Sequence, residues 1–462
     1  MYRGRAAGIS GRVGETMIRF YNGKLLTMDG ELQVQESCEV WVDRDRVVLA
    51  GDAGRVREFC RTQAEKAGKD GAQAEISFER EIDLHGNLLM PGFKDAHTHS
   101  PMTFLRSYAD DMPLQDWLYK QVFPMEAKLT PEMIYHFTKL AVLEYLTSGI
   151  TASFDMYVEP EANARANLEM GFRTVLCGTL NDFKDSIKTL EGFYQKYNQY
   201  HPLISYRLGF HAEYTTSEGL LRDLAALAGQ YRAPVYTHLS ETAAEVAGCE
   251  ERYGSSPVKT LAEMGLWEYG GGGFHCVHVS EEDMDIIKEK GIYVVTNPAS
   301  NAKLASGIAP ICAMLEREIP LAIGTDGPAS NNCLDMFREM FLVTGLAKLR
   351  EQNAAACPAE AVLKMATAGG AAAMGLKDCD CIAEGKQADL IVIDLHQPNM
   401  QPEHNLVKNL VYSGSKQNVL LTMVAGRILY ENGQFFTGEN PEQIYEEVKK
   451  DLQVLQAWGN LS

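Results

Sequence analysis

The sequence lacks any apolar run long enough to cross a lipid bilayer, although 45% of its 462 residues are apolar. A membrane-spanning helix needs about 20 consecutive apolar residues. The opening segment, MYRGRAAGISGRVGET, has the basic start of a secretory signal but no apolar core. We therefore expect a soluble, cytoplasmic protein without a membrane partner.

Basic residues are scarce relative to acidic ones. The chain has 43 Lys and Arg against 62 Asp and Glu, a formal net charge of −19. A surface that binds nucleic acid needs clustered Lys and Arg, and the sequence contains no such run. We expect no nucleic-acid partner, and we attribute the excess negative charge to solubility.

Paired cysteines of the metal-binding or redox type are also missing. Ten cysteines are scattered along the chain, and the only closely spaced pair is Cys379-Asp-Cys381. Without a CxxC motif, neither a zinc knuckle nor a thioredoxin-like site is indicated. We expect these cysteines to be reduced, buried and inert.

The two ends of the chain are rich in short β-segments. After a tail at 1–16, the segment MIRFYNGKLLTM predicts two strands joined by an Asn-Gly turn, and QADLIVIDL, NVLLTMVAG and GRILYENGQ predict strands near the other end. We predict a composite β-sandwich domain from 17–89 and 385–440. The tail is expected to be disordered, and 441–462 to form a C-terminal helix.

The middle of the chain, 90–384, alternates β-branched runs with helical stretches, which is typical of βα units around a parallel sheet. Helices are expected at 131–148, 217–229, 242–252 and 281–289. Eight candidate strands predict a (β/α)₈ TIM barrel. They lie at 88–96, 150–155, 172–177, 204–211, 234–238, 273–277, 292–296 and 320–325.

Polar residues follow these candidate strands at their carboxyl ends, where barrel enzymes carry their active sites. The strand ends are His97-Thr98-His99, Asp155, His211, His238, His275, Asn297 and Thr325-Asp326. This placement predicts an active site at that face of the barrel.

Four of these residues predict a metal site. His97 and His99 are two residues apart in an extended segment, so both side chains point to the same side. His238 ends the apolar run PVYTHL, and Asp326 ends PLAIGTD. A carboxylate after a buried strand needs a partner, such as a cation or a helix N-terminus, and the three histidines favour the cation.

Imidazole and carboxylate ligands suit zinc, iron and manganese, so ligand type alone does not choose among them. Zinc is the expected ion because it is redox-inert and suited to hydrolysis. One divalent ion per chain would lower the pKa of its water to about 7 and supply hydroxide at neutral pH.

Two further residues are candidates for acid-base chemistry. Glu241, three residues after His238, can take a proton from water and deliver it to a substrate nitrogen. His275, at the end of GGGFH, can polarise the attacked centre or hold the hydroxide. His278 competes for that role, but we expect it to be structural because it lies farther from the strand end.

The motifs PGFKDAHTHS, THLSET, FHCVHVS, NPASNAKL and GTDGPASNN resemble the amidohydrolase superfamily over about 17–425. They are most similar to the branch of 5′-methylthioadenosine and S-adenosylhomocysteine deaminases, beside triazine hydrolases and guanine deaminases. The resemblance implies metal-bound hydroxide attack on an amino-bearing ring carbon and release of ammonia, the chemistry of a C–N hydrolase. It also implies that Asp326 accepts a proton from the metal-bound water and that Glu241 protonates the ring nitrogen.

The same resemblance implies a nucleoside substrate. Glu126, in FPMEAKLT, matches a glutamate that binds the ribose 2′ and 3′ hydroxyls, and His211 matches a histidine near the same sugar. A carboxylate suits a diol because it accepts two hydrogen bonds. Trp117, in LQDWL, is expected to line the site.

Two positions depart from the family pattern. The chain has His211-Ala-Glu213-Tyr214 where the family commonly has HxPY, and we expect Glu213 to place an acid near the substrate mouth, where it would favour a basic substrate. Gly178 stands about where family members have an arginine for the homocysteine carboxylate. We therefore expect a neutral 5′-substituent, as in 5′-methylthioadenosine or 5′-deoxyadenosine.

Two alternatives follow from the same residues. One is a hydrolase of a free aminated heterocycle, such as guanine or an s-triazine, and another is a catalytically silent metal-binding scaffold. The unrelated zinc deaminases of cytidine and tRNA require a PCxxC motif, which this chain lacks. The expected partner is a small-molecule substrate, and a barrel of this size is compatible with a homo-oligomer.

Overall fold

A computed structural model describes residues 17–30, 32–66, 76–184 and 186–459 of the chain. The predicted tail at 1–16 and the last three residues of the predicted C-terminal helix lie outside the described residues. Within the described ranges, no helix combines the length and the apolar character needed to cross a bilayer.

Among the described residues, five strands of a sheet outside the barrel come first, and one helix lies between the third and fourth of them. Alternating buried positions in the first strand, such as Phe20, place one face of this sheet on an apolar core. The strands are β1 (Met17–Leu25), β2 (Gln35–Asp43), β3 (Arg46–Gly51), β4 (Arg80–Asp83) and β5 (Leu88–Pro91), and the helix is α1 (Ala53–Lys66).

Eight parallel strands then form a nearly closed barrel, in which each strand pairs with its neighbour in sequence. The first and last strands meet where the Asp326 amide donates to the His97 carbonyl oxygen at 2.9 Å. The strands are β6 (Phe93–Thr98), β7 (Ile150–Met156), β8 (Arg173–Cys177), β9 (Ile204–Gly209), β10 (Val235–Leu239), β11 (Gly271–His275), β12 (Ile292–Thr296) and β13 (Leu321–Ile323).

Helices connect the barrel strands and cover their outer side. Thr130 caps the long helix after β6 by accepting a hydrogen bond from the Met133 amide, with proline at the first helical position. The α-helices are α2 (Leu114–Trp117), α3 (Phe123–Glu126), α4 (Pro131–Thr147), α5 (Pro160–Met170), α6 (Ile187–Tyr197), α7 (Glu218–Tyr231), α8 (Ala243–Tyr253), α9 (Pro257–Glu263), α10 (Glu281–Lys290), α11 (Pro298–Lys303), α12 (Ile311–Glu316), α13 (Pro328–Asn331), α14 (Met336–Glu351), α15 (Ala359–Lys364) and α16 (Gly370–Met374).

The chain returns to the first sheet after the barrel. The later strands add to β5, so one nine-stranded sheet combines strands that precede the barrel with strands that follow it, and residues such as Val40 and Leu421 share one apolar core. The last elements are β14 (Leu390–Ile393), α17 (Leu406–Tyr412), β15 (Val419–Val424), β16 (Arg427–Glu431), β17 (Gln434–Phe435) and α18 (Pro441–Gly459). The predicted barrel and composite β-domain are confirmed, whereas the domain boundaries at 89/90 and 384/385 stay predictions.

The predicted strand at 88–96 is wrong, because it combines two strands of different sheets. β5 pairs with β14 in the outer sheet, and β6 begins the barrel after Gly92. A Cβ at Gly92 would lie 2.1 Å from Cγ2 of Thr151, so only glycine allows the chain to pass so closely between the two sheets. The alternation of apolar residues does not mark this junction, because both strands are buried.

Candidate active site

The carboxyl ends of the barrel strands bring four predicted metal ligands together. His97 and His99 lie at the end of β6, His238 lies in β10, and Asp326 follows β13. One ligand atom from each residue lies within 4.8 Å of the others, so the four form a group that can hold a metal ion. A parallel barrel produces this convergence because all its strands end at one rim.

Backbone carbonyls orient two of the three imidazoles. His99 Nδ1 lies 2.5 Å from the Met156 carbonyl oxygen, and His238 Nδ1 lies 2.7 Å from that of His211. Since a carbonyl only accepts, both Nδ1 atoms carry a hydrogen and both Nε2 atoms face the metal group. The two Nε2 atoms are 3.3 Å apart, so one cation can bind both once neither carries a proton.

His97 shows that the group fits a metal ion. Its side chain is fully buried, and neither ring nitrogen has a hydrogen-bond partner among the described residues. Burial lowers the pKa of His97 to about 3, so the ring is neutral at physiological pH. An unpartnered buried nitrogen is costly, and a cation beside Nε2 would satisfy it.

Asp326 supplies the negative charge of the group. Its Oδ2 accepts hydrogen bonds from the hydroxyls of Ser300 at 2.5 Å and Ser330 at 2.7 Å. Its Oδ1 faces Nε2 of His99 at 3.2 Å and Nε2 of His97 at 3.5 Å. Burial alone would raise the pKa of Asp326, but the neighbouring imidazoles of His97 and His99 keep it well below its usual value. The carboxylate is therefore ionised, and Oδ1 is free to bind a cation.

Glu241 and His275 lie beside the metal group without belonging to it. Glu241 Oε2 is 3.8 Å from His275 Nε2, and Glu241 Oε1 accepts a hydrogen bond from the Ser306 hydroxyl at 3.2 Å. Burial raises the pKa of Glu241, and the neighbouring His275 only partly opposes this rise, which favours a carboxyl that can gain and lose a proton. His275 Nδ1 lies 2.7 Å from Asn301 Oδ1, which sets the orientation of the ring.

A cavity of about 520 Å³ opens above these residues. Its wall includes His99, His238 and Asp326 together with both Glu241 and His275. The helical segment 114–126 forms another part of the wall, with Trp117, Glu126 and several apolar side chains. The remaining lining residues are Met102, Leu114, Leu118, Tyr119, Phe123, Ala127, Met156, Tyr157, Val158, Thr179, Asn181, Phe183, Lys184, His211, Tyr214, Thr215, Leu304 and Ser330.

The predicted substrate-binding residues line one cavity together with three of the four metal ligands; they are Glu126, His211, Trp117 and Glu241. Burial raises the pKa of Glu126, while the neighbouring Tyr157 hydroxyl lowers it. His211 Nδ1 lies 3.0 Å from the Thr215 hydroxyl, and burial lowers the pKa of His211 to about 4, so the ring is neutral. The neutral ring of His211 and the carboxyl oxygens of Glu126 can therefore form hydrogen bonds with a polar part of a ligand.

The expectation for Glu213 is wrong. Its side chain is buried, forms an ion pair with Arg252 of α8, and does not line the cavity. The sequence did not show this pairing because Arg252 follows Glu213 by 39 residues. His278 does not line the cavity. Its Nε2–H donates a hydrogen bond to the Ser306 carbonyl oxygen at 2.7 Å, in agreement with a structural role.

Several residues of the site were not identified from the sequence. Ser300 and Ser330 lie in the recognised motifs NPASNAKL and GTDGPASNN, but spacing did not indicate that their hydroxyls reach Asp326. Lys184, a basic residue in the cavity wall, comes from a loop six residues beyond Gly178. Loop residues of this kind have no periodicity from which a position can be predicted.

A family model described as "Amidohydrolase family" matches residues 88–429, about three quarters of the chain. The chain belongs to the amidohydrolase family. Its enzyme class is accordingly that of a hydrolase acting on C–N bonds.

Two relatives are similar over nearly the whole chain. A protein of Thermoanaerobacter pseudethanolicus named 5-methylthioadenosine/S-adenosylhomocysteine deaminase is 36% identical over 443 residues, covering 94% of this chain and 98% of the relative. The solved structure of an adenosine deaminase from Xanthomonas campestris, with bound zinc, has a TM-score of 0.88 and 30% identity, covering 96% of this chain and 99% of that one.

A more distant structure agrees in fold alone. The zinc complex of atrazine chlorohydrolase from Arthrobacter aurescens has a TM-score of 0.83 at 21% identity, covering 94% of this chain and 100% of that one. The triazine resemblance therefore bears on the scaffold and not on the substrate.

Proposed function

We propose that this protein is a metal-dependent deaminase of adenosine-type nucleosides, with 5′-methylthioadenosine or 5′-deoxyadenosine as preferred substrates. The reaction consumes water and yields the inosine analogue and ammonia. The observation that carries the proposal is that one cavity is lined by three of the four metal ligands together with Glu241 and Glu126. The names of the relatives at 30% identity or more support the same assignment.

We propose zinc as the ion held by His97, His99, His238 and Asp326. When bound, it lowers the pKa of water so that hydrolysis can proceed near neutral pH. The choice of zinc is supported by the nitrogen and oxygen donor set and by the zinc in the Xanthomonas campestris structure.

In the proposed reaction, Glu241 carries the proton that the ring requires. Water adds to the amino-bearing carbon, Glu241 takes a proton from this water, and its carboxyl then protonates the adjacent ring nitrogen. Asp326 accepts the second proton of the water, and ammonia leaves with a proton returned to the amino group. His275, 3.8 Å from Glu241, is positioned to orient the attacking water.

The remaining proposed roles concern substrate binding. Glu126 accepts hydrogen bonds from the ribose 2′ and 3′ hydroxyls, His211 contacts the same sugar, and Trp117 provides an apolar wall. The cavity wall as a whole is mainly apolar, which fits a neutral 5′-group. Lys184 is the one Lys or Arg among the described lining residues, and its Nζ lies 3.7 Å from Glu159, which partly offsets its charge. Because this ion pair weakens the attraction of Lys184 for an anion, we expect a substrate with a carboxylate in its 5′-group to be less preferred than one with a neutral 5′-group.

A substrate panel with the zinc-loaded protein tests the proposal. Ammonia release would be compared for adenosine, 5′-methylthioadenosine, 5′-deoxyadenosine, S-adenosylhomocysteine, adenine, guanine and an aminotriazine. We expect the highest kcat/KM for the neutral 5′-modified nucleosides. Turnover of a free base or triazine alone would overturn the nucleoside assignment, and no turnover with full metal occupancy would favour the silent scaffold.

Glu126→Ala supplies the matched variant for that panel. The loss of two hydrogen bonds to the ribose should lower kcat/KM for nucleosides by about 10- to 100-fold. Activity on a free base, where detectable, should stay unchanged because a base has no ribose. An equal loss on adenosine and adenine would contradict the assignment of Glu126 to the sugar.

A further inference from the structure

A second buried carboxylate, Glu245, lies behind the turn that carries Glu241. Its side chain belongs to the first turn of α8 and is 6% exposed. It does not line the cavity, and its carboxylate points back toward the end of β10. The reaction proposed above gives this residue no role.

Both oxygens of Glu245 accept hydrogen bonds from the backbone of that turn. Oε1 accepts from the Ser240 amide at 2.7 Å, and Oε2 accepts from the Glu241 amide at 2.8 Å. Burial and the charge of Glu241 raise the pKa of Glu245 to about 7, while these two N–H donors favour the ionised form, in which all the lone pairs accept. The backbone immediately before the Glu241 side chain is therefore held through the N–H groups of two successive peptide units.

The turn needs such support, because its backbone is unusual. Ser240 has a φ of +50°, in the left-handed region that non-glycine residues rarely adopt. The Ser240 carbonyl also accepts hydrogen bonds from the amides of Val277 at 3.1 Å and His278 at 2.9 Å, just beyond His275. One peptide unit thus connects the backbone of Glu241 to the backbone that follows His275.

We infer that Glu245 is a positioning residue, which sets the orientation of Glu241 relative to His275 by holding the Ser240–Glu241 backbone. This inference rests on the proposed function, in which Glu241 carries the proton. Glu245 touches neither the cavity nor the metal group. Its effect on the reaction is indirect, through the direction in which the Glu241 side chain enters the cavity.

Glu245→Gln tests the inference, because the side chain keeps its size and loses one acceptor. The amide nitrogen would face a backbone N–H, donor against donor, and one of the two hydrogen bonds would be lost. We expect kcat to fall about 10- to 100-fold with KM changed less than about twofold, and zinc content to remain equal to that of the wild type. Glu250→Gln removes an exposed carboxylate from the same helix and is the matched control, expected to have wild-type values.

Hydrogen exchange gives a readout that needs no substrate. The Ser240 and Glu241 amides should exchange at least about 10-fold faster in Glu245→Gln than in the wild type, while other barrel amides stay unchanged. If the wild type deaminates no nucleoside, the proposed function fails, but this measurement still tests the hydrogen bonds. Faster exchange with unchanged kcat would show that Glu245 is only structural and would overturn the inference. Unchanged exchange would also overturn it, because the two hydrogen bonds would then not hold this backbone.

Glu245→Asp covers the case in which the glutamine variant does not fold. It keeps both acceptors and the charge but shortens the side chain by one methylene. We expect kcat between those of the wild type and the glutamine variant, with exchange rates in the same order. A kcat equal to or above the wild-type value, with faster exchange at Ser240 and Glu241, would overturn the inference.

Discussion

At the scale of the single residue, the histidines of the metal group differ in protonation. Burial lowers the pKa of His97 to about 3 and holds that of His238 well below its usual value. For His99, burial also lowers the pKa, but the hydrogen bond and charge of Asp326 raise it further, to about 9. In the absence of an ion, His99 is thus protonated at neutral pH, whereas His97 and His238 are neutral.

This difference predicts how metal affinity depends on pH. Below pH 9 a cation must displace one proton from His99, so the apparent Kd for zinc should rise about tenfold for each unit of pH decrease. Between pH 8 and pH 6 we expect a weakening of about 100-fold, measured by competition with a chelator whose own proton binding is corrected for. A Kd that is constant over this range would contradict the prediction.

Substitution of Glu241 should affect catalysis but not metal binding. Glu241 lies beside the metal group but is not part of it, so Glu241→Gln should retain a full complement of zinc. Because glutamine cannot carry the proton, turnover should fall by about 10²- to 10⁴-fold. Metal content and ammonia release would be measured on the same sample, with Asp326→Asn as the variant expected to lose both. A near-normal rate in Glu241→Gln would rule out its role as the proton carrier.

At the scale of the element, β11 is packed so closely that three of its five residues are glycines. A Cβ at Gly271 would lie 1.9 Å from the Val235 carbonyl oxygen, and one at Gly272 would lie 2.6 Å from the Tyr236 ring. The backbone of β10 therefore lies directly against β11, which brings His238 and His275 side by side with ring centroids 5.5 Å apart. The three glycines of this strand thus contribute to the assembly of the site, because they have no side chain that would keep β10 and β11 apart.

Gly271→Ala should destabilise the barrel. The contact at 1.9 Å involves backbone, which cannot move aside as a side chain can, so we expect a loss of about 3 kcal/mol or more in the free energy of unfolding. Urea denaturation would measure it. Gly219→Ala is the control, because a Cβ there meets nothing within 4 Å inside helix α7, and it should be neutral or stabilising. Equal stability of the two variants would show that β10 and β11 can separate.

At the scale of the whole molecule, a buried ionic cluster connects the barrel to the outer sheet. Asp389, just before β14, accepts two hydrogen bonds from Arg173 of β8, at 2.8 and 3.0 Å. Lys94 of β6 lies 3.4 Å from the same carboxylate and donates to the Thr151 hydroxyl at 2.6 Å. Burial would raise the pKa of Asp389, but the two cations hold it well below its usual value.

Asp389→Asn should leave two buried cations without a counter-charge. We expect a loss of about 3–5 kcal/mol in the free energy of unfolding at pH 7, measured by denaturant titration. Because the folded pKa is lowered, the contribution of Asp389 is present above its unfolded pKa of about 3.9 and is lost as the pH falls through the lower folded value. The wild type and the variant should therefore differ equally at pH 7 and pH 6, and a stability equal to the wild type would refute the role of the cluster.

The sequence by itself determined the barrel, the metal group and the family. Strand ends in a parallel barrel meet at one rim, so His97, His238 and Asp326 could be placed together although they are far apart in the chain. The composite sheet followed from strand patterns at both ends. These features depend on local periodicity and on a general rule of the fold, both of which a single sequence contains.

Only the tertiary structure decided which partners the polar side chains have. Glu213 pairs with Arg252, Ser300 and Ser330 reach Asp326, and Glu245 holds the backbone of Glu241. The pattern Thr242-x-x-Glu245 is typical of a capping box, but the carboxylate reaches beyond Thr242 to the preceding turn. Such contacts depend on distances between loops and side-chain ends, which have no period along the chain and are set only when the elements pack.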